Sequence, residues 1–253
     1  MTYTNSPLVS YINISPNKTV PRSMPIDRIT PHVYVGQVTV QDMAAWLCNK
    51  SAQASANYGI GKDGRIGLFV EEKDRSWCSS NKENDHRAIT IEVASDTTAP
   101  YAVTDAAYNA LIKLVADICK RNNIKKLVWS TNKDDRVNHK NGCNLTVHRD
   151  FANKSCPGEY LYERHGDIAK QVNDILSGKT KTLYCVQIGA YSVKKNAENF
   201  LNKVKKNVPD AFIATVNALH KVQVGAYSVK ANAEKQMEKM KKLGYKDAFI
   251  AKK

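Results

Sequence analysis

Two residues on one short stretch could do chemistry together. His148 stands in Thr146-Val-His-Arg-Asp150, and eight residues on comes Cys156, followed by Pro157. A histidine and a cysteine on an irregular loop can converge on a metal ion, because a loop is not bound to helical or strand periodicity. Zinc takes imidazole and thiolate readily, and catalytic zinc sites use three protein ligands plus a water. A distant third ligand is therefore required. His32, at the start of the apolar stretch Pro31-His-Val-Tyr-Val35, is the best placed. Taken alone, such a pair is more often a surface histidine and a buried cysteine, and a lone His32 more often a satisfied polar residue. The other five cysteines read as small buried hydrophobes. No CxxC pair is present, which argues against a four-cysteine structural zinc site.

The elements that must position these residues alternate in type. Strands are expected at Val33 to Val35, Asn57 to Gly61, Ile66 to Val70, Ala88 to Val93 and Lys126 to Ser130. Helices are expected at Val40 to Ser55 and Asp105 to Asn122. The second has Leu111, Leu114, Val115, Ile118 and Cys119 on one face, with Thr104 as its cap. Lys62-Asp-Gly-Arg65 reads as a hairpin turn. A further helix carries Ile168, Val172, Ile175 and Leu176 and runs out into the polar stretch Ser177-Gly-Lys-Thr180. The segment Trp77-Cys-Ser-Ser-Asn81 falls between strands, where it could line a substrate groove.

Beyond that stretch the sequence echoes itself. Val186-Gln-Ile-Gly-Ala-Tyr-Ser-Val193 returns as Val222-Gln-Val-Gly-Ala-Tyr-Ser-Val229, and Asp210-Ala-Phe-Ile-Ala214 as Asp247-Ala-Phe-Ile-Ala251. Each copy reads strand, lysine-rich helix, strand, with Ser192 or Ser228 as the expected N-cap. Two copies are too few for a solenoid and predict one pseudo-symmetric ferredoxin-like α+β domain, βαββαβ. The expected organisation is α/β, a mixed central sheet flanked by helices over residues 1–176, a linker at 177–181, and the small domain over 182–253.

Composition narrows the partners. The chain of 253 residues carries a formal net charge of +14, which implies an anionic surface: nucleic acid, anionic lipid or an acidic wall polymer. Residues 181–253 hold 15 lysines against 5 acidic residues, so most of the excess lies there. No stretch approaches the roughly 20 apolar residues that span a bilayer, so no transmembrane segment is expected. The polar start, Met1 to Pro16, shows no secretory signal pattern.

Read in order, His32, Asn57-Tyr-Gly-Ile-Gly-Lys-Asp-Gly64, Ile89-Thr-Ile-Glu-Val93 and His148-x5-Lys154-x-Cys156-Pro157 resemble the amidase-2 family. These are the N-acetylmuramoyl-L-alanine amidases, related to bacteriophage lysozyme-type amidases and peptidoglycan recognition proteins. The resemblance covers roughly residues 25 to 176. It implies zinc held by His32, His148 and Cys156, with Tyr58 beside the metal, Lys154 supporting an oxyanion and Glu92 handling the proton of the attacking water. One departure is Val33, where the family commonly has a threonine or similar polar residue after its first histidine. His86 and His139 are the substitutes to test for that ligand. The terminal repeat resembles a sporulation-related repeat (SPOR) domain, a family that binds peptidoglycan glycan strands stripped of stem peptides. The implied protein is a zinc-dependent peptidoglycan amidase, a monomer, made in the cytoplasm without a signal peptide and released to the wall through a holin pore or by lysis.

Two rival readings fit the sequence less well. Non-catalytic peptidoglycan recognition proteins usually lose a zinc ligand, particularly the cysteine, and here all three positions are filled. An RNA-recognition module would need aromatics in a pattern like Lys-Gly-Phe-Gly-Phe-Val on its central strands. The repeat offers Val-Gln-Ile-Gly-Ala-Tyr and Val-Gln-Val-Gly-Ala-Tyr, one aromatic each, so no nucleic-acid partner is expected.

Overall fold

An apolar helical stripe and several short apolar strands must cover one another, and the structure shows how they do. It is a computed structural model that describes residues 3–179, 183–227 and 230–252. The chain divides into two compact units, Met1–Lys179 and Thr180–Lys253. In chain order the first holds β1 (Tyr11–Ile12), β2 (Lys18–Thr19), β3 (Arg28–Val35), α1 (Val40–Leu47), β4 (Tyr58–Ile60), β5 (Ile66–Leu68) and β6 (Arg75–Ser76). There follow α2 (Lys82–Arg87), β7 (Ala88–Ser95), α3 (Asp105–Arg121), α4 (Lys133–Val137) and α5 (Gly158–Leu176).

Five of these strands form one mixed sheet in the order β1-β5-β4-β7-β3, with β4 and β5 antiparallel and the other neighbours parallel. The antiparallel pair is closed by the expected turn, where Gly61 N–H donates to Arg65 O and Gly64 takes φ +81°. Ile89, Ile91 and Val93 of β7 and Tyr58 and Ile60 of β4 are fully buried against Leu111, Leu114, Val115 and Ile118 of α3 and Leu161, Ile168 and Val172 of α5. Each large aliphatic side chain so buried contributes about 1.5–3 kcal/mol before conformational entropy is counted. Thr104 caps α3, its Oγ1 accepting from Ala107 N–H at 3.1 Å. The opposite face packs Ala94 and Phe69 against Met43, Ala44 and Leu47 of α1.

Strand alternation therefore divides β7 into two sets. Ile91 and Val93 face α3 and α5, while Glu92 and Ala94 face the α1 side. His32 is the register partner of Glu92, and Tyr58 of Ile91. His32 and Glu92 thus project from the α1 side, and Tyr58 from the other.

Two expectations fail here for local reasons. Val40–Ser55 is not one helix. α1 stops at Leu47, and Asn49 Oδ1 accepts from Ser51 N–H to cap a separate 3-10 turn, Lys50–Ala52. Lys126–Ser130 forms no strand, because side-chain amides replace ladder partners. Leu127 N–H donates to Asn173 Oδ1 and Val128 N–H to Asn144 Oδ1, both at 2.8 Å. β3 also begins earlier than expected and takes Pro31 in its middle. As the last strand of the sheet it tolerates a residue without an amide proton.

The second unit holds β8 (Tyr184–Tyr191), α6 (Lys194–Lys205), β9 (Ala211–Val216), β10 (Leu219–Tyr227), α7 (Lys230–Lys242) and β11 (Phe249–Lys252). Its sheet is antiparallel throughout, ordered β11-β8-β10-β9, the ferredoxin-like order expected from the repeat. Val186, Val224, Val204 and Met240 are buried between the sheet and its helices. Alternation turns Gln187 and Gln223 to the other face, where register places Phe212, Gln223, Gln187 and Phe249 in one row across four strands. The two copies of the repeat each supply one glutamine and one phenylalanine of that row. The position before α6 is Val193, with no side-chain cap, so Ser192 does not serve. Ser228 and the end of the expected linker, 180–181, lie outside the described residues.

Candidate metal centre

β3 delivers His32 from the sheet, 1% exposed. The other two candidates come from the stretch after residue 146. Leu145 and Thr146 lie beside β3, with Thr146 N–H donating to Ile29 O at 3.0 Å. A 3-10 turn, His148–Asp150, then lifts the chain away from the strand. Arg136 anchors that turn through a buried two-pronged ion pair with Asp150, Nε to Oδ2 at 2.7 Å and a terminal nitrogen to Oδ1 at 2.6 Å. Cys156 follows, its carbonyl accepting from Arg149 N–H at 3.1 Å. α5 then starts at Gly158, whose φ of +71° is open to glycine and where a Cβ would lie 2.8 Å from Tyr101 Cβ.

These supports bring His32, His148 and Cys156 together. One donor atom from each lies within 4.8 Å of the others, and Cys156 Sγ is 3.4 Å from His32 Nδ1. The two imidazole rings meet edge to face, centroids 5.0 Å apart. A second trio, His32, Cys78 and Glu92, meets the same 4.8 Å limit. His32 belongs to both, so four candidate donors surround one buried imidazole.

The loop Trp77–Asn81 closes this group. Asp85 accepts from the backbone N–H of Cys78 and of Ser79 and from the Ser79 hydroxyl at 2.6 Å. Asn84 joins that loop to Thr30 and Thr146 beneath the centre, within a buried chain of hydroxyls and amides. Ser80 is held at φ +60° and brings Oγ to 3.0 Å from His148 Nε2. Cys78 Sγ lies 3.7 Å from Glu92 Oε1. The sequence pattern suits this loop to a groove wall but leaves Cys78 looking like a buried hydrophobe and Ser80 without a partner. Only the fold shows that they touch Glu92 and His148.

Burial sets the protonation states. It holds His32 well below the ordinary imidazole value, helped by the charges of His148 and His165, and holds His148 down with help from Lys154. Both imidazoles are therefore neutral near pH 7, the form that binds metals. Burial, then the Glu92 charge, pushes the Cys156 thiol well up. Glu92 is raised to about 7 by burial, only partly offset by the Cys78 thiol.

Among the described residues, His32 Nε2 and Glu92 Oε2 are buried without a hydrogen-bond partner. An orphaned buried polar atom is costly unless a ligand or water satisfies it. Two imidazoles, a thiol and adjacent unsatisfied atoms form a donor set that fits a zinc ion.

Lys154 is exposed on the turn between His148 and Cys156. Tyr58 is corrected: it lies on the far face of the sheet, fully buried, donating to Glu72 Oε1 at 2.6 Å and accepting from Ser6 N–H at 2.9 Å. It cannot meet the metal group, because its strand neighbour Gly59, not Tyr58, aligns with Glu92. His86 accepts from Ser23 N–H and His139 is bonded to Cys143 O; neither joins the cluster.

A family model described as N-acetylmuramoyl-L-alanine amidase matches residues 22–159, and one described as SPOR domain matches residues 180–252. No curated protein matches. Among solved structures, a selenomethionine derivative of AmpD is 18% identical over 67% of this chain and 99% of that one, with a TM-score of 0.50. PlyL is 14% identical over 64% of this chain and 95% of that one, with a TM-score of 0.49. The peptidoglycan binding domain of the B. subtilis cell wall lytic enzyme CwlC is 36% identical over 29% of this chain and 92% of that one, with a TM-score of 0.26. At 18% identity the likeness to AmpD is one of fold.

Proposed function

The chain belongs to the N-acetylmuramoyl-L-alanine amidase family, and from that membership we propose that it cleaves the amide between N-acetylmuramic acid and L-alanine in peptidoglycan, using one zinc ion held by His32, His148 and Cys156. The observation that carries this reading is the convergence of those three donors within 4.8 Å from a sheet strand and a distant loop.

An amide is a weak electrophile with a poor leaving group. A zinc ion held by these three residues would supply Lewis acidity to the carbonyl and bring the pKa of a water toward ~7. His32 and Cys156 are fixed by burial, and Ser80 orients the His148 ring through Nε2. Glu92, in the same small group as His32, is raised to about 7 and so can take a proton from water and return it to the departing amine. Lys154, exposed on the turn between the two loop ligands, supplies a positive charge to support the developing oxyanion, a role worth roughly 10²- to 10³-fold in rate when such a donor is removed. Tyr58 has no part in the chemistry; it ties the amino-terminal segment to Glu72.

The second unit supplies attachment. Its match to the SPOR domain supports binding of glycan strands, and Phe249, half exposed at one end of the row Phe212, Gln223, Gln187, Phe249, offers apolar surface suited to a sugar ring. The lysine excess of 181–253 favours approach to an anionic wall. Tethering of this kind raises local substrate concentration without altering the catalytic groups. The site of action is the bacterial wall. Among the described residues no helix is long and apolar enough to cross a membrane.

Digestion of purified sacculi with and without chelator, followed by mass spectrometry of the new ends, tests the bond. Free lactyl carboxylates and new N-terminal alanine are expected, and only without chelator. New reducing sugar ends would instead mean a glycosidase.

A further inference from the structure

The stretch joining His148 to Cys156 also walls a cavity of about 440 Å³. Lys133, at the start of α4, lines it together with Arg149, Asp150 and Lys154. Its one carboxylate is already committed, because Asp150 is engaged by Arg136 in a nearly fully buried pair. Arg149 is braced with its head group 4.5 Å from the centre of the Tyr162 ring and an ion pair to Glu159 at 3.0 Å. Its Nε is buried with no partner among the described residues. The lining therefore holds two lysines and an arginine, the last paired with Glu159, against one carboxylate already engaged, directly along the chain from His148.

A cavity of that character takes an anion, and its place beside the metal centre says which. The amide to be cleaved leads into a peptide, and a stem peptide carries free carboxylates within a few bonds of that amide. Resting on the amidase reading above, we propose that this cavity seats a free carboxylate of the stem peptide, held by Lys133 and Arg149, and that the enzyme favours stems in which that carboxylate is not amidated. Lys133 sets the preference and is exposed, so it can be changed without disturbing the core. Arg149 bonds to Ser155 O beside Cys156, and its replacement would disturb the ligand loop.

The test uses the full-length zinc-loaded protein and two soluble N-acetylmuramoyl peptides, alanine followed by a glutamate residue. They are identical except that the free carboxylate of the glutamate residue is an amide in one. For the wild type, kcat/KM is expected to be about tenfold higher on the acid, mainly through KM, and the preference to shrink as salt rises. Lys133→Glu should abolish the preference by slowing cleavage of the acid about tenfold more than cleavage of the amide. Lys133→Ala should fall between. Equal wild-type kcat/KM on both peptides would overturn the proposal, as would Lys133→Glu slowing both by the same factor. Cleavage of neither peptide by the wild type would instead bring down the amidase reading, and the subsite with it.

Discussion

Replacing Glu92 by glutamine should make the metal-free protein more stable while removing its catalysis. The carboxyl is raised from its ordinary 4.5 to about 7 by burial. In an unfolded chain it loses its proton near the ordinary value, so between about pH 4.5 and pH 7 the folded state holds the extra proton. Stability therefore falls as pH rises through that window and levels off above it. A shift of this size corresponds to about 3 kcal/mol; the side chain is not wholly buried, so about 2 kcal/mol is the working figure. Glu92→Gln has no charge to bury. Urea denaturation in chelator at about pH 8 should show the variant more stable by that amount, and at about pH 4 the difference should vanish. With zinc restored, kcat should fall roughly 10²- to 10⁴-fold. A variant less stable than wild type at about pH 8, or a difference that does not change with pH, would mean that the Glu92 carboxylate carries no burial cost.

Metal uptake should release a proton, because the Cys156 thiol is held protonated while both imidazoles are already neutral. Zinc affinity, measured by competition with a chelating dye, should rise about tenfold per pH unit between about pH 6 and pH 8. Asp150→Ala leaves Arg136 buried and unpaired, and should cost about 3–5 kcal/mol in denaturant unfolding. Gly59→Ala drives a Cβ into the Phe69 ring in the strand row that carries His32 and Glu92, and should destabilise by about 1–3 kcal/mol. Removing residues 180–253 should abolish co-sedimentation with sacculi but spare cleavage of soluble muropeptides, and Phe249→Ala, half exposed on the sheet face, should weaken sedimentation alone.

What the sequence disclosed was what is periodic or repeated. The α3 stripe, the Thr104 cap, the Lys62–Arg65 turn and the duplicated Val-Gln-x-Gly-Ala-Tyr strand each leave a local signature, and the structure contains each of them. Where tertiary partners decide, the signature fails. Lys126–Ser130 looks like a strand, but Asn144 and Asn173 take its amides from 16 and 46 residues away. The role expected for Tyr58 failed through parity, because one step along β4 turns a side chain to the other face. Cys78 and Ser80 carry no spacing signal at all. They reach Glu92 and His148 only because Asp85 and Asn84 fold their loop over the buried hydroxyls of Thr30 and Thr146.

Metal content by mass spectrometry, on purified wild type and Cys156→Ser prepared side by side, bears most directly on the account. About one zinc per chain in the wild type, with little retained after dialysis of the variant, is the predicted result. Full zinc occupancy in Cys156→Ser, or undiminished amidase activity in a wild type stripped of metal, would show that these three side chains are not what drives the reaction.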